Sequence, residues 1–314
     1  MIEHRNWTYE DFPEFAEEIE GAVRIPTTGD ESDVRYMHDV EYADMDGTKL
    51  HLQILFPASR NDTKREGFEF RFREGSLLPC FVFVQGSGWF KQYVYANIPA
   101  LVRLCRRGFV CAIVEYRPST TAPFPAQIQD ARNAVRFLRA NAAKFRIDPD
   151  KIILAGDSSG GHTAMYAALL SDEDDRNLYP GVPASVKGIV NYYGAVSVMR
   201  WDGNPSTLNH HLPDSPEGIL MGGANLRERD DLCRKMSVEC NIAPETDLPP
   251  VLIFHGTKDR TVNCIESVDL YRRLKECGKE TALYLIEGAD HGGPEFWTEP
   301  MLDIVEAFIR KCTD

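Results

Sequence analysis

The chain has 314 residues, 43% of them hydrophobic and 26% charged, the balance of a globular protein with enough apolar material for a sizeable core in one large domain or two smaller ones. A formal net charge of −13 argues against a nucleic-acid footprint and favours solubility without identifying a substrate. No run approaches the roughly 18 apolar residues of a membrane span, and the polar, acidic N-terminus through Glu20 lacks the apolar centre of a signal peptide; a cytoplasmic chain with no membrane partner is expected.

Residues 1–30 read as a helical or irregular lead-in, with Phe12, Phe15 and Ile19 spaced for one face of a helix over Glu10–Glu20, packed on the body. Val34–Tyr42 and Lys49–Phe56 alternate apolar with polar across Asp44-Met45-Asp46-Gly47, the pattern of an antiparallel hairpin. Residues 58–76, charged and with a weak alternation at Phe68, Phe70 and Phe72, read as a surface excursion. The character then changes. Continuous apolar runs at Cys80–Val84 and Phe109–Val114 enclose a helical pattern over Ile98–Arg107, as parallel strands buried on both faces would. A helix over Gln127–Phe145, a strand over Lys151–Ala155 and a helix over Thr163–Leu170 follow. Strands at Val186–Tyr193, Val251–His255 and Thr281–Ile286, with helices at Ile265–Cys277 and Phe296–Lys311, complete a strand–helix alternation. That alternation predicts an α/β fold with a mostly parallel central sheet, an N-terminal antiparallel hairpin and helices on both faces. The whole chain reads as one domain. Residues 195–248 break the rhythm, and a structureless loop of that length is unusual, so a partly helical cap is expected there.

Eight cysteines lie mostly in apolar strand or helix patterns, including Cys80, Cys105, Cys111 and Cys277, and read as small buried hydrophobes instead of disulfide partners. No CxxC pair or His/Cys cluster has zinc spacing, so neither metal nor cofactor is expected.

The segment Gly156-Asp157-Ser158-Ser159-Gly160 fits G-x-S-x-G, in which a serine sits on a strained strand-to-helix turn with its hydroxyl exposed. Glycines belong two residues to either side because the strand and helix backbones pass too close for a Cβ. Only Ser158 has glycine at both positions, which makes it the candidate nucleophile. A serine hydroxyl needs an oriented base, and in a doubly wound sheet such groups lie beyond the carboxyl ends of strands. His291, in the loop after Thr281–Ile286, is the candidate base. His255 lies within its strand and reads as structural, and His162 is too close to the elbow to fold back. His210 and His211 fall in the cap, where solvated positions are expected. Asp259, in the loop after Val251–His255, is the candidate acid; its rival Asp290 is the chain neighbour of His291. The oxyanion hole is expected from the N–H groups of Ser159, Ser87 and Gly88, with Gly86 less well placed, because Gln85-Gly86-Ser87-Gly88-Trp89 follows the Cys80–Val84 strand.

These residues resemble the α/β-hydrolase superfamily, close to the hormone-sensitive-lipase-like and acetyl-esterase or feruloyl-esterase-like serine esterases. The match runs through Gln85–Trp89, Gly156–Gly161, His255–Asp259 and His291-Gly292, and extends from about residue 34 to the C-terminus. The resemblance implies a Ser-His-Asp hydrolase of small carboxylic esters, with acetylated or aroylated sugars among the substrates that would suit it. An amide or peptide hydrolase and a non-catalytic ligand-binding relative are the alternatives, and a homo-oligomer is compatible with the sequence. The family's loop histidine and middle glycine are replaced here by Gln85 and Ser87; an amide can also fill the histidine's loop-holding role. Trp89, Tyr116, Tyr193 and Trp201 are the candidate substrate contacts, with Trp297 a further one.

Overall fold

The computed structural model describes residues 7–8, 10–28, 31–59, 63–66, 69–72, 77–170, 176–199 and 204–314. The first two strands, β1 (Ser32–Met45) and β2 (Thr48–Ser59), form the antiparallel hairpin, turning at Asp46-Gly47. Asp46 and Gly47 both take positive φ (58° and 85°), which asparagine, aspartate and glycine tolerate best. Next, β3 (Thr63–Glu66) and β4 (Glu69–Phe72) make a separate two-stranded sheet; Phe68 lies outside the described residues.

The main body alternates β5 (Leu78–Val84), α1 (Ile98–Cys105), β6 (Val110–Val114), α2 (Ala126–Ala140), β7 (Ile147–Asp157), α3 (Ser159–Leu169) and β8 (Gly188–Tyr192). After α4 (Pro216–Leu220) and α5 (Asp230–Met236) it resumes with β9 (Val251–Gly256), α6 (Ile265–Glu276), β10 (Thr281–Ile286) and α7 (Glu299–Thr313). The eight-stranded sheet has the order β1-β2-β6-β5-β7-β8-β9-β10. Its pairings are parallel from β6 through β10 and antiparallel where β2 meets β1 and β6.

The continuous apolar runs are explained by burial on both faces. On β5, Cys80, Val82 and Val84 face a core shared with Ile128 and Leu138 of α2, Met165 of α3 and Leu270 of α6. Phe81 and Phe83 point the other way, to Leu101 of α1 and to Leu302, Val305 and Ile309 of α7. Between β6 and α2, Arg117 and Asp130 form a buried ion pair (2.8 Å) that ties the strand exit to the helix.

The lead-in departs from expectation. Residues 10–28 form turns and irregular chain, not a helix, and Phe12, Phe15 and Ile19 remain exposed. An eleven-residue amphipathic stretch gains stability as a helix mainly by burying its apolar face, and among the described residues no surface covers that face. Residues 195–248 contain α4, α5 and two 3-10 turns, Leu226–Glu228 and Val238–Asn241. Their apolar side chains, among them Leu220, Leu226, Cys233 and Met236, form a third cluster around Trp89.

Candidate active site

Ser158 joins β7 to α3 with φ +52° and ψ −125°, a conformation costly for a side chain other than glycine. Both neighbouring glycines are required by close approach. A Cβ on Gly160 would lie 2.0 Å from the Val84 carbonyl oxygen, and one on Gly156 would lie 2.2 Å from that of Gly160. The turn is held from outside: Ser158 N–H donates to Tyr192 O (3.0 Å), and Ser158 O accepts from Ala195 N–H (3.1 Å).

The loops that follow β9 and β10 bring two predicted partners to this serine. His291 Nε2 stands 2.9 Å from Ser158 Oγ, and His291 Nδ1 stands 2.7 Å from Asp259 Oδ2. Asp259 collects further donors. Its Oδ1 accepts from the N–H groups of Thr261 and Val262, both at 2.9 Å, and His255 Nε2 lies 3.2 Å from Oδ2. Burial pushes the Asp259 carboxyl up, but hydrogen bonds from His255 and His291 outweigh it and hold the group well below the usual carboxylate range. The rival Asp290 instead accepts from the backbone of His291 (2.8 Å) and from Arg260 (2.7 Å), steadying the loop that carries the histidine. His255 is buried, with Nε2 donating to Val262 O (3.0 Å) and Nδ1 beside Ser267 Oγ (2.6 Å). His162 is also buried, donating from Nε2 to Met236 O (3.0 Å).

The loop after β5 lies against the elbow. Gly86 N–H donates to Asp157 Oδ1 (2.7 Å). Burial raises the Asp157 carboxyl to about 6, against the opposing effects of Gly86 N–H, His291 and Tyr193. Ser87 N–H donates to Ser159 Oγ (2.9 Å). Among the described residues, nothing accepts the N–H of Gly88 or Ser159. The Ser87 hydroxyl donates to Phe90 O (2.7 Å) and meets Tyr116 Oη (2.9 Å), which in turn lies 3.3 Å from Ser159 Oγ. The amide that ties this loop is a different residue from Gln85. Among the described residues Gln85 Oε1 is buried without a partner, whereas Gln92 Nε2 donates to Gln85 O (2.8 Å) and Val114 O (3.0 Å). Gln92 Oε1 accepts from Tyr116 N–H (2.8 Å). The glutamine that pins the loop follows it, where sequence matching to the family's histidine position could not find it.

A cavity of about 410 Å³ opens over Ser158 and His291. Tyr193 lines it, its ring edge-on to His291 with centroids 4.9 Å apart. Trp89 reaches the wall, but it is 1% exposed and its ring packs edge-on against His162 at 5.1 Å. Tyr116 stands behind the loop, not on the cavity wall, and Trp297 stacks on Tyr192 (5.1 Å) in the core. Trp201 lies outside the described residues. The expected solvated positions of the paired histidines are corrected. His210 lines the cavity with Leu208, Pro216 and Glu217, and His211 is buried with Nε2 donating to Val198 O (3.1 Å). No local pattern in the sequence marks His210; its partners Glu217 and Thr261 are found only in space. Among the described residues no group of three or more His, Cys, Asp or Glu side chains could hold a metal ion, and no helix is long and apolar enough to cross a membrane.

The sequence profile of the BD-FAE family matches residues 71–274, spanning the loop after β5, the elbow and the Asp259 loop. The chain belongs to the BD-FAE family. Similar proteins include Esterase LipC of Mycobacterium tuberculosis, 27% identical over 218 residues that make up 68% of this chain and 53% of that protein. Another is the isoprenylcysteine alpha-carbonyl methylesterase ICME of Arabidopsis thaliana, 26% identical over 68% of this chain and 50% of that protein. This BD-FAE chain therefore spans about half the length of the curated relatives it matches. A truncated carbohydrate esterase from gut microbiota superposes with a TM-score of 0.73 over 92% of this chain and 99% of its own, at 24% identity. That likeness, with the mostly parallel eight-stranded sheet and its flanking helices, makes the fold that of the α/β-hydrolases.

Proposed function

We propose that this BD-FAE protein is a cofactor-free serine hydrolase of short-chain carboxylic esters. The observation that carries the reading is the unbroken run of hydrogen bonds from Asp259 through His291 to Ser158 at the base of the cavity. In the proposed cycle His291 Nε2 takes the Ser158 proton as Oγ attacks the ester carbonyl, while Asp259 fixes the proton on Nδ1 and stabilises the imidazolium. His291 then protonates the leaving alcohol and activates the water that clears the acyl-enzyme. The Gly88 and Ser159 N–H groups receive the oxyanion, joined by Ser87 N–H as it exchanges the Ser159 hydroxyl for the stronger acceptor. In this reading residues 195–248 act as a cap, supplying Ala195, Leu208, His210, Pro216 and Glu217 to the cavity.

The named esterases among the relatives support ester over amide chemistry. The carbohydrate esterase shares the fold, and acetylated or aroylated sugars are the proposed substrate class. A panel of chromogenic acetyl, propionyl and aroyl esters, with matched anilides, tests this. Esters should turn over with acetyl or small aroyl groups preferred, and Ser158→Ala should abolish turnover while melting as a folded protein. Anilide preference would move the assignment to an amidase, and activity retained in Ser158→Ala would remove it.

A further inference from the structure

One imidazole in the 195–248 segment has an acceptor on each nitrogen. His210 Nδ1 stands 2.7 Å from Glu217 Oε1, and Nε2 stands 2.8 Å from Thr261 O and 3.0 Å from Ser206 Oγ. The Ser206 proton is already committed to the same Thr261 carbonyl, at 2.7 Å. A neutral imidazole has one N–H and would turn a bare nitrogen lone pair toward either the carboxylate or the carbonyl. With Glu217 a carboxylate, only the imidazolium satisfies both sides.

The surroundings favour that charge. Glu217, on α4, is 3% exposed; Glu266, on α6, also acts on the ring, with burial pushing its own carboxyl well above the usual carboxylate range. His211, whose imidazole is pushed down mainly by burial, and Arg227 share a second cavity of about 240 Å³ with His210. His291 lines the same cavity of about 410 Å³ as His210. Burial disfavours the cation, but Glu217, Glu266 and the Thr261 carbonyl outweigh it and raise His210 to about 9.

What His210 grips bears on the acid. The Thr261 carbonyl and the Val262 N–H are opposite edges of one planar peptide, and Val262 N–H donates to Asp259 Oδ1. The preceding plane repeats the arrangement. Arg260 O accepts from Thr207 N–H (2.7 Å) and Thr207 Oγ1 (2.9 Å), while Thr261 N–H donates to Asp259 Oδ1. Two successive peptide planes are thus held by residues 206–210 on one edge and by Asp259 on the other.

We propose that His210, as an imidazolium held by Glu217, is a positioning residue that aligns Asp259 against His291 through the Thr261–Val262 peptide, so that the acid is set only while the 195–248 segment is seated over the cavity. The proposal rests on the serine-hydrolase reading above. Deprotonation breaks one of the two bonds, so the clamp is complete below the His210 pKa and lost as pH rises through it.

The test measures three quantities from pH 6 to 11 in wild type, Glu217→Gln and His210→Ala: the imidazole titration of His210 by NMR, turnover of a chromogenic acetyl ester, and the labelling rate of Ser158 by a fluorophosphonate. Glu217→Gln should lower the His210 titration by about one unit or more, as loss of a neighbouring opposite charge does. The alkaline limbs of turnover and labelling should move with it. His210→Ala should cut kcat about 10- to 100-fold with KM changed less than about threefold, the signature of a misplaced catalytic group. Alkaline limbs that stay fixed while the titration moves would overturn the proposal, as would His210→Ala with full kcat. Should His210→Ala fail to fold, the near-isosteric Glu217→Gln decides alone. Labelling that follows the titration without turnover of any ester would refute the esterase reading and leave the clamp standing; loss of both labelling and turnover in wild type would refute both.

Discussion

Asp259→Asn is the substitution for which the geometry gives the sharpest expectation. Four donors converge on this carboxylate: the N–H groups of Thr261 and Val262 on Oδ1, with His291 Nδ1 and His255 Nε2 beside Oδ2. A carboxylate accepts on both oxygens, whereas an amide presents two hydrogens on one side. If the amide oxygen stays on the two backbone N–H groups, its NH₂ faces His291. Nδ1 must then become an acceptor, the ring proton moves to Nε2, and Nε2 faces Ser158 Oγ unable to take its proton. If the amide flips, its NH₂ opposes two backbone donors instead. In a serine protease triad the equivalent change of tautomer lowers kcat by roughly 10⁴, about 5.5 kcal/mol of transition-state stabilisation. The same fall is expected here, together with a stability loss of about 1–3 kcal/mol from the donor left unsatisfied in either orientation. Steady-state kinetics on a chromogenic acetyl ester and denaturant unfolding measure the two effects. An Asn variant with kcat within tenfold of wild type would mean that the tautomer of His291 is not set by Asp259.

Two further outcomes follow from the geometry around the elbow. Burial lowers His162 to about 4, opposed only in part by its bond to the Met236 carbonyl. The unfolded chain therefore binds a proton that the folded one refuses between pH 6.5 and 4, and stability falls as pH drops through that window. The contribution is about 3 kcal/mol. It is read as the difference between the stability–pH curves of wild type and His162→Leu, and parallel curves would contradict it. A Cβ on Gly86 would lie 2.5 Å from Asp157 O and 2.7 Å from Ser158 Cβ. Gly86→Ala should push the loop after β5 off the elbow and, on the proposed mechanism, cost roughly 10²-fold or more in kcat, on the scale of a lost oxyanion donor. Circular dichroism and melting would show whether the variant keeps its fold, and a folded variant within threefold of wild-type kcat would refute the argument.

The parts of this architecture legible in the sequence are those governed by local rules. Two-sided burial makes β5 and β6 continuous apolar runs, and the turn at Ser158 needs glycines at fixed offsets whatever surrounds it. The residues Asp259 and His291 could be singled out because each follows a strand, and a parallel sheet brings the carboxyl ends of its strands to one edge. No such rule covers the rest. The apolar spacing of Phe12, Phe15 and Ile19 describes a helix only if some surface accepts that face, and the described residues provide none. The partner of the loop after β5 is Gln92 and not Gln85, because hydrogen bonding depends on which amide the folded loop turns toward two carbonyls. Ser87 owes its hydroxyl partners to Tyr116 and the Phe90 carbonyl, meeting Ser159 through its backbone N–H. His210 looks in sequence like a solvated cap residue. Its protonation and its grip on the Asp259 loop come from Glu217 and Thr261, seven and 51 residues away. Sequence determines the strand-borne chemistry because backbone geometry propagates it. The alignment of that chemistry was decided by contacts between segments with no shared register, and only the tertiary structure brings those together.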